Sequence, residues 1–507
     1  VNGSHTTGGF ATPAARAAWS LLLVAIYLAA AVAGWDRTLA EDEIWSAGQT
    51  ERSWIRMLAY VRGDLVHPPL WYIIEKLWLG AAGHTDAAAK TLPLLINVPA
   101  LFLAVAVAAR ATPHWRLASL LFAALYFRIG AVPHLARMYG LLLLLSLLAM
   151  LLWDRWRERP TGGRLAAWAA AAGAAAATHY LGVLLVVAFV AANWLSGPEP
   201  RRLLRAAAWS LVPLVPWIAV SLPVYLERGL GPNLAWVEPS AFRTLRQLPF
   251  YFMSYIPSSG DPFLDVRPRL AAEYWVALMI AAGAIHALLL VFAWRRLRLL
   301  WRAEPSCDAA RWFRPAVALV AAPVALMFSF SAAVHPAMDA RFLVGVLPAY
   351  WLAVALLGAN GGRAGKVLLY GVILPWALAS AAVTIPDAAP SPVRAGLERA
   401  AAEWRAGDIV AADCRTGVQV WWEWVRRMGR AERIAIARCQ GRRWWVPEQE
   451  ARPPEEFLLD GVARVWLIYA DKAERERIGD ALAARGFRRD ARGDALEFVA
   501  IWVRAGE

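Results

Sequence analysis

The chain has 507 residues, 59% of them hydrophobic and 18% charged, with a mean hydropathy of +0.42, a net charge of +14 and a pI near 10.1. So apolar a composition excludes a disordered chain and an ordinary soluble globular protein. The charge alone would also fit a nucleic-acid binder, so its distribution decides. Residues 387–507 hold 21 Lys+Arg against 20 Asp+Glu, and the remaining excess of +13 lies among the apolar runs of residues 1–386. That pattern excludes a basic nucleic-acid-binding tail and fits loops that obey the positive-inside rule.

Residues 1–16 read as a tail. A transmembrane helix needs roughly 20 mostly apolar residues, and the first such run is 17–35. Acidic residues follow it rather than a small-residue cleavage site, so it is read as a retained span. The next stretch, 36–91, is a first outer loop with interfacial helices. Within it, 67–83 (HPPLWYIIEKLWLGAAG) is apolar but holds Glu75 and Lys76. Crossing there would invert every later loop, so this segment is expected to lie in the interface, where its Trp and Tyr belong. Further spans are predicted at 92–109, 117–135 and 138–153. Residues 165–195 are too long for one span and read as two short ones, broken near His179-Tyr180. Spans at 206–226, 272–294, 315–334, 342–358 and 366–386 complete a set of about 11.

The arginine-rich connections sort these spans by direction. Together, 154–164, 199–205, 295–314 and 363–366, with Arg16, Arg110 and Arg116, carry 18 basic and 5 acidic residues. The opposite connections carry 14 of each. The expected fold is therefore a polytopic α-helical protein of the inner (plasma) membrane, spanning residues 17–386. Its N-terminus is cytoplasmic.

After Pro386 the pattern changes to a small periplasmic α/β domain, 387–507. IVAADC (409–414), RIAIARC (433–439) and RVWLIYA (464–470) read as buried strands, and ALEFVAIWV (495–503) as a last one. Residues 416–429 and 472–485 have helical spacing, the second closed by Gly486. Cys414 and Cys439 end strands that could be neighbours in a compartment where disulfides persist, so they read either as a disulfide or as two buried thiols. Cys307 falls in an inside loop and stays reduced. No CxxC or HxxxH spacing points to a structural metal.

Ionisable groups at membrane depth are costly, so each is a site hypothesis by default. Most of them collect at the outer ends of the spans. Glu41-Asp42-Glu43 follows the first span. Adjacent carboxylates repel, which suits one of them to general-base work or lets Asp42 and Glu43 hold a divalent cation such as Mg or Mn. A solvated loop start is the alternative. Asp64 and His67 stand before Pro68-Pro69, at the opening of the interfacial helix. Arg128, Arg137 and Tyr139 sit at the outer ends of two spans, where an Arg fork and a phenol can bind phosphate. His179 and Tyr180 form the tip of the short hairpin, where a satisfied packing histidine is the alternative. His335 and Asp339 precede Arg341, which begins an apolar helix with no acidic residue in its first turn. That is a poor place for a cation unless an anion waits there. The sum is an outward-facing membrane cavity with carboxylates near its mouth and arginines along it, suited to a lipid phosphate.

EDEIWS (41–46), DLVHPPLWYII (64–74), HLARMYGLLLLL (134–145), THYLGVLLV (178–186) and DARFLVGVLP (339–348) occur in that order. Together they resemble the GT-C superfamily of polytopic glycosyltransferases, with most likeness to bacterial relatives of the protein O-mannosyltransferases and the lipid A aminoarabinose transferases. The resemblance covers most of 17–350. It implies inverting transfer of a single sugar from a polyprenyl-phosphate donor to a glycan, lipid or protein acceptor on the outer face. It implies Asp42 as the base, with Glu43 assisting, and Arg137, Arg341, His67 and Tyr139 at the donor phosphate. Asp64, His179, Tyr180 and Arg128 are further substrate-binding candidates. In some relatives a Lys stands where His67 does, and often an Arg where Lys90 does, the latter resembling a structural anchor. The implied partners are the lipid-linked donor, the bilayer and the acceptor, with no nucleic acid. No Gly-rich phosphate loop or nucleotide fingerprint is present, as a lipid-linked donor would require.

Two other functions would also use intramembrane arginines: a flippase of lipid-linked sugars, and an oligosaccharide ligase acting on a polyprenyl-diphosphate donor. Transporters often show repeated sets of spans, and none is evident here.

Overall fold

The computed structural model describes residues 11–33, 35, 39, 41–64, 67–129, 136–228, 240–254, 272–302, 308–338, 340–383, 392–413, 416–428, 434–437, 454, 457, 459–469, 472–490 and 499–505. The chain divides into two compact units. One comprises Val1–Gly34, Ser53–Trp78 and Lys90–Pro386; the other comprises Trp35–Arg52, Leu79–Ala89 and Asp387–Glu507. The sequence reading placed the whole of 36–91 with the membrane part. The contacts instead group two pieces of that loop with the C-terminal residues.

The first unit is a bundle of helices. In chain order they include α1 (Pro13–Ala33), α2 (Glu41–Thr50, part of the second unit), α3 (Trp54–Asp64), α4 (Leu70–Ala82), α5 (Asp86–Ala111), α6 (Trp115–Ile129), α7 (Tyr139–Glu158), α8 (Gly162–Thr178) and α9 (Leu181–Ser196). Then come α10 (Pro200–Leu211), α11 (Leu214–Arg228), α12 (Ala241–Ser254), α13 (Ala272–Arg302), α14 (Asp308–Ala333), a 3-10 turn (Ala340–Val346) and α15 (Leu347–Asn360). Last come α16 (Gly362–Leu368), a π turn (Leu369–Ile373) and α17 (Leu374–Val383).

Five described helices are long and apolar enough to cross a membrane: Pro13–Val32, Asp86–Ala111, Tyr139–Glu158, Arg311–Ala333 and Leu343–Asn360. Pro200–Leu211 with Leu214–Glu227, bent by 56°, forms either a broken sixth span or a re-entrant loop. Large apolar side chains face outward on these helices and on α13, among them Leu21, Val32, Trp209, Leu226, Ile280 and Val291. An aqueous surface would not sustain so much exposed apolar area, whereas lipid tails do. The chain is an integral membrane protein.

α4 has 13 residues, about 20 Å of helix at ~1.5 Å per residue, well short of the ~30 Å hydrocarbon core. The predicted single run 165–195 is broken as expected, with His179 and Tyr180 between α8 and α9. Gly182 lets that hairpin close: a Cβ there would stand 2.3 Å from the Ala175 backbone. Gly173 does the same between α8 and α10, where a Cβ would meet the Ser210 carbonyl at 2.4 Å. Small residues that let backbones approach are how helices associate in lipid.

Isolated polar pairs lock the bundle. Asn97 Nδ2 donates to the Tyr27 hydroxyl at 2.8 Å. His286 Nε2 meets the Tyr350 hydroxyl at 2.5 Å. At one end, Asp154 accepts from Arg110 at 2.7 Å and from Arg311 at 2.6 Å. Glu158 pairs with Arg110 and, at 3.1 Å, with Arg311. Arg157 donates to the Arg311 carbonyl at 2.9 Å, and Arg202 to the Pro160 carbonyl at 3.1 Å. The arginine-rich connections at 110, 154–164, 199–202 and 311 thus gather at a common end of the bundle.

One expected helix start moves. Arg341 does not open an α-helix; it lies in the 3-10 turn, and α15 begins at Leu347. Pro348 sits in the first turn of α15, where its missing N–H costs nothing and its fixed φ is pre-set for a helix.

The second unit is built on a five-stranded sheet. α18 (Pro392–Ala402), β1 (Asp408–Ala412), α19 (Gly417–Trp421, continued by a π turn to Arg427), β2 (Ile434–Ile436), β3 (Arg464–Ile468), α20 (Lys472–Ala483), β4 (Phe487–Asp490) and β5 (Val499–Arg504) follow in order. The strand order is β2-β1-β3-β5-β4. β2, β1 and β3 run parallel, with Val410 opposite Ile434 and Trp466; β5 and β4 run antiparallel. Every residue of β1 and β3 is buried, the mark of parallel strands covered on both faces. The Asp408 carboxylate accepts from Arg464 at 2.6 Å and from the Trp466 indole at 3.2 Å, tying β1 to β3. β1 and β2 are neighbours, as the cysteine argument required. Cys414 and Cys439 themselves lie outside the described residues, as does Cys307.

The loop pieces 35–52 and 79–89 pack into this same unit. α2 lies against α19, and Gln419 Nε2 donates to the Leu39 carbonyl at 3.3 Å. Asp86 accepts from the Trp422 indole at 2.5 Å and from Arg394 at 3.4 Å. Arg394 also forks onto Glu423 at 3.0 and 3.1 Å.

Candidate functional site

The first unit brings four of the predicted site residues together. His67 stands just before α4, held by the Pro68-Pro69 pair that fixes the chain's entry into the helix. Its ring meets His179 edge-on, with centroids 5.1 Å apart at 89°. Tyr139, the first residue of α7, lies 6.2 Å from the His179 ring at 32°. Arg137 stands two residues ahead of Tyr139, at the same end of α7. All four side chains are buried.

Local structure explains the arrangement. His179 caps α8, and its Nδ1 accepts from the Leu181 amide at 3.2 Å. In the neutral ring this places the proton on Nε2. Tyr180 caps α9 and turns its hydroxyl to the Trp217 indole at 3.1 Å, fastening the hairpin tip to α11. At α7, Gly140 admits Asn97, whose Oδ1 would lie 2.6 Å from a Cβ.

Arg137 is 5% exposed and adjoins the N-terminus of α7, whose first turn has no acidic residue. Its charge therefore adds to the positive end of the helix macrodipole and to the unsatisfied N–H groups of the first turn. Such a place suits an anion, and a planar guanidinium suits a phosphate. The dipole argument that the sequence attached to Arg341 therefore belongs to Arg137.

The 3-10 turn carrying Arg341 packs on α7 and α9. A Cβ on Gly345 would sit 3.4 Å from Ser146 Oγ of α7. Ser331 Oγ accepts from the Ala337 and Met338 amides at 2.8 and 2.9 Å, folding 334–338 back over the end of α14. The Arg341 side chain and Asp339 lie outside the described residues.

The remaining candidates fall elsewhere. Asp64 is the last residue of α3 and does not open α4. Arg128 is the penultimate residue of α6, an end where the macrodipole favours a cation. The side chains of both lie outside the described residues.

Asp42 and Glu43 belong to the second unit, in the first turn of α2. Carboxylates there are stabilised by the helix N-terminus. Asp42 is exposed and Glu43 fully buried. Consecutive helical side chains diverge by about 100°. Among the described residues no group of three or more His, Cys, Asp or Glu could hold a metal.

Glu75, 1% exposed, is a buried carboxylate of the first unit that the sequence used only as an argument against crossing. Its signal was a charge inside an apolar helix. Its neighbour Lys76 turns the other way and lies 5.2 Å over the Trp54 ring.

No protein-family model matches the sequence, and no curated protein matches it. Among solved structures the chain is similar to ArnT from Cupriavidus metallidurans bound to undecaprenyl phosphate, at 14% identity and a TM-score of 0.50, covering 97% of this chain and 98% of that one. The same protein in its apo state gives 14% identity, a TM-score of 0.50 and a coverage of 96% and 98%. A likeness at that identity shows the fold alone, which is shared with ArnT along nearly the whole chain.

Proposed function

We propose that this chain, sharing its fold with ArnT, is an inverting glycosyltransferase that moves a single sugar from a polyprenyl-phosphate donor to a glycan, lipid or protein acceptor at the periplasmic face. The observation that carries this reading is Arg137: a buried guanidinium at a helix N-terminus, beside His67, His179 and Tyr139. That is a lipid-phosphate site by its chemistry, and ArnT is a protein that was crystallised with undecaprenyl phosphate.

In this mechanism an acceptor hydroxyl oxygen bonds to the anomeric carbon as the bond from that carbon to the phosphate oxygen breaks. Asp42, in its motif-given role, takes the hydroxyl proton, with Glu43 supporting it. The departing phosphate gains negative charge, which Arg137 and Arg341 meet, with Tyr139 and His67 as hydrogen-bond partners. One displacement inverts the anomeric centre, so no covalent nucleophile is needed. Asp42 and Glu43 are the carboxylates that would hold a divalent cation such as Mg or Mn. Asp64, Arg128, His179 and Tyr180 are assigned to substrate binding.

The reading keeps the eleven-span topology in the inner membrane, N-terminus cytoplasmic. The gathering of the arginine-rich connections at a common end of the bundle supports it. The test is incubation of the purified protein with radiolabelled polyprenyl-phosphate sugars and a membrane extract. Transfer that inverts the anomeric centre is expected. Label that stays on the donor with every sugar tried would overturn the proposal.

A further inference from the structure

A second site lies in the first unit, away from Arg137. A cavity of about 340 Å³ opens between the start of α1, the connection ahead of α6, and the π turn after α16. Its lining includes Trp19, His114, Trp115, Arg116, Leu120 and Tyr370 and no carboxylate. The volume is at the lower end of ligand pockets. The Trp19 indole donates to Ser119 Oγ at 2.8 Å and meets Trp115 edge-on at 6.4 Å. The Arg116 guanidinium lies 5.0 Å over the Trp115 ring, a stacking that leaves its N–H edge for a ligand. The Tyr370 hydroxyl and His114 Nδ1 are 3.2 Å apart.

The local field is positive. Burial first, and then the charge of Lys366, hold the His114 ring below its ordinary pKa. The surroundings are lipid-facing: Leu21 and Leu22 on α1, and Val367 and Tyr370 beside the pocket, are exposed apolar groups. A soluble anion would not need that belt, whereas a lipid headgroup would sit at its edge. Tryptophan and tyrosine are the side chains that favour the membrane interface, and basic pockets between helices there recognise anionic headgroups.

We propose that this pocket holds the phosphodiester headgroup of an anionic membrane phospholipid, with Arg116 and His114 on the phosphate, the Tyr370 hydroxyl beside them and Leu120 against the glycerol end. It is independent of the donor-phosphate reading, since no residue is shared between the two.

The test uses the full chain in detergent and native mass spectrometry. Dioleoylphosphatidylglycerol and dioleoylphosphatidylcholine are added at equal mole fraction, with millimolar inorganic phosphate in a third arm. The wild type should retain phosphatidylglycerol preferentially. Arg116→Gln should cut that preference about fivefold and Arg116→Gln with Lys366→Gln about 25-fold, the worth of one and two basic groups at an anionic surface. Tyr370→Phe, which removes one hydroxyl without touching the packing, should cost about two- to fivefold. Equal retention of the two lipids by the wild type, or an unchanged preference in the doubly substituted chain and in Tyr370→Phe, overturns the proposal. Release of the lipid by inorganic phosphate alone overturns it too, since the pocket would then be a site for the free anion.

Discussion

Arg394→Met separates a structural role for the C-terminal residues from a decorative one. The Arg394 guanidinium forks onto Glu423 at 3.0 and 3.1 Å and reaches Asp86 at 3.4 Å. Arg394 is 8% exposed and Glu423 0%. Methionine keeps most of the volume but takes the guanidinium away from a buried carboxylate. Breaking a buried pair from one side costs about 3–5 kcal/mol, whereas replacing both partners by apolar groups is neutral or stabilising. Asp86 keeps its bond from the Trp422 indole at 2.5 Å, so Glu423 bears most of the cost. A compact unit is stable by about 5–15 kcal/mol, so the single variant should stay folded yet open roughly two to four powers of ten more often. Hydrogen exchange of the β1 and β3 amides, read by mass spectrometry, measures that opening. Arg394→Met should exchange faster by this factor, and Arg394→Met with Glu423→Leu should return to the wild-type rate. A single variant that exchanges like wild type, or a double variant as fast as the single, would refute the reasoning.

Arg137→Ala should weaken polyprenyl-phosphate binding by about 10–100-fold, the worth of one charge-assisted hydrogen bond or two weaker ones, and Arg137→Lys should recover part of it. Unaltered affinity in both would remove Arg137 from the phosphate. Asp42→Asn should lower kcat by about 10²–10⁴ with KM little changed, the signature of lost general-base catalysis; a wild-type kcat would move the base elsewhere. Gly182→Ala sets a Cβ against the Ala175 backbone, an overpacking of about 1–3 kcal/mol. It should lower the thermal midpoint measured in detergent, and a midpoint at the wild-type value would mean the hairpin yields without strain.

Much of the membrane part was legible because lipid allows so few backbone solutions. The break at His179-Tyr180 followed from length alone, since one span cannot hold 31 residues. β3 was legible in VWLI, a run apolar on both faces. β4 was not: its FRRD sequence has two exposed arginines, and it pairs on one side only, with β5. The start of α15 moved because the apolar run 342–346 is equally at home in a 3-10 turn, and Pro348 marks the true beginning. Within the site, the sequence pointed to His67, Arg137, Tyr139 and His179 because polar groups in apolar runs demand a reason. It could not say that 35–52 and 79–89 join the C-terminal sheet. The contacts that do so, Asp86 with Trp422 and Leu39 with Gln419, are 336 and 380 residues apart and leave no local pattern.

That stitching also sets an order of assembly. Asp86 leaves the ribosome 336 residues before the Trp422 that receives it. At a synthesis rate of about 5–20 residues per second, α2 and its neighbours wait roughly 20–70 s for their partners. During that interval α2 lacks the α19 surface against which it packs in the finished fold. The segment that bears the carboxylates is thus made early and completed last, and a nascent chain stopped short of α19 would leave its contacts with Gln419 and Trp422 unmade.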